Sequence, residues 1–201
     1  MTLAPKWALV LSLLLAAPLA AQQPPRDKND PQSAIEPRSA PGAGQKFLEQ
    51  FVGDWRVAKT FHPRSGEPVR QQGECKQSMT HGGRFLKSEF VFTSGETRTT
   101  GTGIIGFEPA TGLFTSVWID SRSTRMSLRQ SKEKFNGQQI VLVGQGLGEG
   151  AKSVRPSRTV TRLEDNGNRI VHRQYGLGTD GKDRLVMELV MTRKQDAPTR
   201  P

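Results

Sequence analysis

Whatever chemistry this chain carries must be assembled from three histidines, one cysteine and a few carboxylates. His62 sits in a His62-Pro63-Arg64 turn and His81 beside Gly82-Gly83, so both are expected to be exposed. His172 lies in an alternating apolar and polar stretch, on the face that also carries Ile170 and Gln174. A neutral imidazole there could ligate a haem iron; the alternative is a plain hydrogen bond to Thr161 or Gln174. Cys75 alternates with Gly73, Gln77 and Met79, opposite in face to Arg70, Glu74 and Lys76, which makes it buried or lumenal. A nucleophilic thiol needs a base at hand, and no spacing supplies one. Trp118 and Asp120 share a face with Phe114 and Ser116. That places an aromatic plate beside a carboxylate, able to hold an amphipathic ligand, or else a core indole and a rim Asp opening the next turn. Glu188 falls on the opposite face of its strand and does not pair with Asp120 as a catalytic couple. The run from Gly144 to Gly150 has the glycines of a phosphate loop but no Gly-Lys-Ser/Thr and no following helix, so it reads as a flexible lip. No acid–base pair or activated nucleophile emerges, and the chain reads as a binder, not an enzyme.

The elements that position these residues are strands. Turn pairs recur at short intervals: Ser65-Gly66, Gly82-Gly83, Ser94-Gly95, Thr111-Gly112, Asn136-Gly137, Asn166-Gly167 and Asp180-Gly181. Between them lie runs rich in Val, Ile, Phe and Thr, at residues 85–92, 114–119, 140–143 and 185–192. Length and spacing suit antiparallel strands. About ten strands in succession, with one short helical candidate at residues 46–51, predict an up-and-down antiparallel meander. Such a meander loses its exposed edges by closing into a barrel. A two-residue turn at Asn166-Gly167 sets Glu164 opposite Arg169 and Thr161 opposite His172. A turn at Asp180-Gly181 sets His172 opposite Leu189, Gln174 opposite Met187 and Ile170 opposite Met191. Leu185, Met187, Leu189, Met191 and Arg193 then share the inner face with Ile170, His172, Gln174, Thr159, Thr161 and Leu163. Arg158, Arg162, Glu164, Arg169, Arg173 and Glu188 face solvent, together with Val160, Val171 and Tyr175.

Composition bounds the rest. In 201 residues, 34% are hydrophobic and Gly (21) and Pro (13) are abundant, which excludes a bundle of spanning helices and a long coiled coil. One cysteine excludes an internal disulfide framework and a Cys-rich zinc site. Residues 1–21 read as a signal peptide: Lys6 precedes an apolar run at 7–15, and Ala16, Ala17, Ala20 and Ala21 offer small residues for cleavage. Residues 22–45 carry five prolines and almost no large apolar residue, as expected of a disordered spacer. Residues 46–195 form the folded domain and 196–201 a tail. The domain holds 24 Lys+Arg against 15 Asp+Glu. Arg125, Arg129, Arg158, Arg162, Arg169 and Arg173 are expected on solvent faces, a stripe suited to an anionic envelope surface or simply to solubility. No aromatics interleave with them, which argues against nucleic acid.

Gly53-Asp54-Trp55 follows the helical candidate, and Arg193 ends the last strand. This resembles the calycin, lipocalin-like signature, in which the indole plugs the barrel base and a basic residue packs across it. The ordered set Phe51-Val52-Gly53-Asp54-Trp55, Gly82-Gly83-Arg84-Phe85-Leu86, Gly101-x-Gly103 with Gly106-Phe107-Glu108, Val117-Trp118-Ile119-Asp120 and Met187-Glu188 before Thr192-Arg193 goes further. It is similar, over residues 46–194, to a bacterial family catalogued as domain of unknown function 1579, placed among the calycins. The resemblance implies a β-barrel with an internal cavity and brings no activity. The expectation is an exported, lipocalin-like barrel holding a small, mostly apolar or amphipathic ligand, without a required cofactor. Trp118, His172, Gln174, Met187, Leu189, Phe90 and Phe92 are the cavity candidates, with Met79 beside them; Gly53, Trp55 and Arg193 form the floor. The rivals are a haem barrel through His172 and a surface module working through the Arg stripe.

Overall fold

The computed structural model describes residues 39–147, 154–177 and 182–195. One helix, α1 (Ala43–Glu49), precedes ten antiparallel strands. They are β1 (Gly53–Phe61), β2 (Val69–Thr80), β3 (Phe85–Ser94), β4 (Thr97–Glu108), β5 (Leu113–Asp120), β6 (Ser123–Gln130), β7 (Gln139–Leu147), β8 (Val154–Glu164), β9 (Arg169–Leu177) and β10 (Asp183–Arg193). Each pairs with its chain neighbours, and β10 returns to β1, closing the barrel. Closure satisfies the ladder hydrogen bonds that an open meander would leave at two edges. Gly66, Gly82, Gly83, Gly95, Gly112, Gly137 and Gly167 all take positive φ, as the turn pairs require. Asp180-Gly181 lies outside the described residues.

The register follows the turn arithmetic. Glu164 opposes Arg169 and Thr161 opposes His172, while Ile170, His172 and Gln174 oppose Met191, Leu189 and Met187. One departure matters. A bulge between Leu185 and Met187 sets Leu185 opposite Tyr175, on the outer face, and Val186 lines the lumen in place of Leu185. A further correction concerns Gly144-Gln145-Gly146-Leu147, which is not a lip but the end of β7, paired with β8. A Cβ at position 144 would meet the Leu128 carbonyl at 2.4 Å, so glycine there lets β6 and β7 close together.

The barrel floor is built from the helix and the first strand. The helix spans Ala43–Glu49, beginning three residues earlier than the 46–51 expected and taking in the end of the assigned spacer. Phe47, Leu48 and Phe51 recur on one face and are buried. Gln45 ties the helix down, donating from Nε2 to the Phe107 carbonyl (2.7 Å) while its Oε1 accepts from Gly42 N–H (2.7 Å). Trp55 is fully buried, and its Nε1 donates to the Phe51 carbonyl at 3.0 Å. Arg193 lies over the indole, 4.2 Å from the ring centroid, and donates to the carbonyls of Val52, Gln50 and Gly167. Gly53, at φ 138°, adopts a conformation that side chains avoid, and a Cβ there would sit 2.5 Å from the guanidinium. The Gly-x-Trp spacing and the terminal arginine are thus one interlocked plug. Among the described residues no helix is long and apolar enough to cross a membrane.

Candidate functional site: the barrel cavity

Above the plug lies a cavity of about 580 Å³. Leu48 and Phe51 form its base, and Phe90, Phe92, Ile105, Trp118, Ile140, Leu142, Met187 and Leu189 much of its wall. All seven cavity candidates from the sequence line it, Trp118, His172, Gln174, Met187, Leu189, Phe90 and Phe92 together. Met79 packs against the apolar core but does not border the cavity.

Trp118 is held in place from three sides. Its ring lies on β4 where Gly101 leaves room, a Cβ there being only 2.3 Å from the indole. Phe90 meets it edge-on at 5.5 Å between centroids, and its Nε1 donates to Asp120 Oδ2 at 3.0 Å. Asp120 in turn accepts from the Arg122 backbone N–H (2.9 Å) and pairs with its guanidinium (2.9 Å). Partial burial pushes the Asp120 carboxyl up, but the hydrogen bonds from Arg122 and Trp118 outweigh it and hold it at about 2. The rim-turn role and the wall role therefore belong to one unit: Asp120 opens the β5–β6 turn and orients the indole.

His172 Nδ1 lies 2.8 Å from Thr161 Oγ1. Burial, with the positive charge of Arg129 adding to it, lowers its pKa to about 4, so the ring is neutral at ordinary pH. His62 is half-buried, against expectation, because its loop is tied to β10: His62 N–H donates to the Val186 carbonyl and Arg184 to the His62 carbonyl, both at 2.9 Å. His81 is exposed at its turn. Cys75 is buried, and burial pushes its thiol up to about 12, an unreactive state. Among the described residues no three His, Cys, Asp or Glu side chains group as a metal site.

Two arginines were misplaced by the sequence reading. Arg125 and Arg129 lie on the lumenal side and border the cavity, Arg125 still exposed and Arg129 half-buried. The reason is register: Ser127 opposes Trp118 and Arg129 opposes Ser116, and opposed residues share a face. The same turn arithmetic applied at Ser121-Arg122 gives Arg125 and Arg129 this inward parity, although a register shift between Trp118 and Asp120 moves the partners by two residues. Lys59 was missed as well, although it shares its inward parity with Trp55 and Val57. It is 6% exposed, with Nζ 3.5 Å from the Phe92 centroid, and burial followed by the repulsion of Arg122 lowers its pKa to about 8 against the opposing pull of Asp120. Gln77 also turns inward, donating to Ser88 Oγ at 3.0 Å, while its Oε1 is buried without a partner.

The remaining stripe is largely neutralised. Arg158 pairs with Asp183, Arg169 with Glu164 (2.8 Å) and Arg173 with Glu188 (2.6 Å), and Arg162 donates to Gln139 (2.8 Å). Arg158, Arg162 and Arg173 flank a small outer groove over Val160, Val171 and Tyr175. That cover explains how Val171 is buried on an outer face.

Fold and cavity together define a ten-stranded, lipocalin-like β-barrel with an interior large enough for a small molecule. The chain belongs to the family of proteins of unknown function DUF1579, which matches residues 40–193. Among solved structures it is similar to Rv2717c from M. tuberculosis, with 15% identity over 78% of this chain and all of that one, and a TM-score of 0.57. It is also similar to the S-type phycobiliprotein lyase CPES from Guillardia theta, at 10% identity, covering 82% of this chain and 98% of that one, with a TM-score of 0.50. No curated protein matches it in sequence. At these identities the likeness is one of fold.

Proposed function

We propose that this protein is an exported carrier that holds one small, mostly apolar or amphipathic molecule in its barrel, without catalysing a reaction on it. The observation that carries the reading is the cavity: about 580 Å³, within the range of small-molecule sites, walled by aromatic and aliphatic side chains with a few polar anchors. Where a hydroxyl does meet an imidazole, Thr161 Oγ1 to His172 Nδ1, no carboxylate among the described residues is bonded to the ring, and the buried Cys75 thiol is held protonated. Similarity in fold to a phycobiliprotein lyase is compatible with a barrel that accommodates an organic guest. Export rests on the signal-like residues 1–21, and kinship with the calycins on the Gly53, Trp55 and Arg193 plug. Native mass spectrometry of the protein purified from its own host tests the reading. We expect a single retained small molecule per chain, or uptake of one equivalent of Nile red by emptied protein. A chain that carries nothing and takes up no dye contradicts it.

A further inference from the structure

We propose that the cavity takes an amphipathic anion, with the guanidinium of Arg129 receiving its charged head and the Trp118–Phe90 wall its apolar body. This rests on the carrier reading and names the class of ligand. β6 runs against the usual pattern of a half-buried strand. Ser123, Arg125, Ser127 and Arg129 border the lumen, whereas its large apolar residues, Met126 and Leu128, are 59% and 63% exposed outside. A strand that presents cations inward and hydrocarbon outward is not arranged for a neutral interior.

Four cations border the cavity, Lys59, Arg122, Arg125 and Arg129, against one carboxylate, Asp120. Asp120 is already engaged by Arg122 and Trp118. The Lys59 ammonium rests on the Phe92 ring. Arg129 has no such compensation: its Nε is buried without a hydrogen-bond partner, and no carboxylate among the described residues ion-pairs with it. A guanidinium stays charged in proteins, so its burial is costly until a counter-charge arrives. Ser116, directly opposite on β5, and Ser127, two residues along β6, place hydroxyl donors on the same face. A carboxylate or similar monoanion whose head reaches Arg129 while its tail lies along the aromatic wall satisfies this group, and a neutral molecule does not.

Isothermal titration with dodecanoate and dodecan-1-ol separates the possibilities. The wild type is expected to bind dodecanoate at least about tenfold more tightly than the alcohol. Arg129→Gln is expected to erase that preference, and Arg129→Lys to restore part of it. Thermal unfolding of unliganded Arg129→Gln should match or exceed wild type, since an uncompensated charge has been removed. The comparison of the two ligands on wild type does not depend on any variant folding. Equal affinity for both ligands, or undiminished dodecanoate binding by a folded Arg129→Gln, overturns the anion assignment and leaves the carrier intact. Failure of wild type to bind either ligand overturns both.

Discussion

Three residues bear most directly on how the barrel is held closed and how it responds to acid. Trp55 fills the floor and Arg193 stacks on it while tying three backbone carbonyls together. Trp55→Ala should therefore cost about 3–5 kcal/mol as a core aromatic deletion, and Arg193→Ala less. A double-mutant cycle in denaturant should return a coupling of at least about 0.5 kcal/mol; strictly additive losses would show that the two do not act as one plug. His172 supplies the pH prediction. Its folded pKa, lowered to about 4, lies below the ordinary 6.5, so on acidification the unfolded chain takes up a proton before the folded one does. Stability is thus highest above pH 6.5, falls as pH drops from 6.5 towards 4, and loses about 3 kcal/mol at most from this group. Asp120, held at about 2, contributes its loss only below its ordinary 3.8, so the two windows do not overlap. Equilibrium unfolding across pH 7 to 4 should show the slope in wild type and a flatter profile in His172→Gln. An unchanged slope in the variant would assign it elsewhere.

At the scale of elements, β4 and β5 carry the wall on which a ligand would lie. The ring of Trp118 occupies the space a side chain at position 101 would need, so Gly101→Val should displace the indole and cost about 1–3 kcal/mol by overpacking. Its measurable sign is a shift of tryptophan emission together with loss of dye uptake, in a barrel that still unfolds cooperatively. Retained emission and uptake would mean that the bed tolerates a side chain. Most of this architecture was legible in the sequence, because glycine turns and strict alternation leave little freedom once a closed meander is assumed. The β8–β9–β10 register followed from two turns, since a hairpin fixes every pairing along its strands. What could not be read had local causes. The bulge at Leu185 and Met187 inserts one residue without a sequence marker. β6 defeated the expectation that arginine faces water, because its side chains follow the parity of Trp118 and not their own polarity. Lys59 was hidden in the same way by its place on the Trp55 face of β1. The cavity wall was visible from apolar periodicity, whereas its charge was not.

For the whole molecule, net charge and cavity suggest different places of work, and the ion pairs bear on the choice. Although the chain has a formal charge of +10, Arg158, Arg169 and Arg173 on the outer face each meet a carboxylate. Retention on anionic vesicles should accordingly be weak near physiological ionic strength, where the Debye length is about 8 Å. It should also change little when Arg158, Arg162, Arg169 and Arg173 are replaced by Gln. Strong retention abolished by those replacements would move the working surface to the stripe. The central claim is that the lumen accepts a guest against Trp118, and tryptophan fluorescence tests it most directly. In a Trp7→Phe background only Trp55 and Trp118 emit, one sealed in the floor and the other on the cavity wall. Titration with Nile red should perturb the emission of this protein and of its Trp55→Phe variant, and leave that of Trp118→Phe unaltered. A titration that perturbs neither indole, or one whose effect persists undiminished in Trp118→Phe, would contradict binding within the barrel.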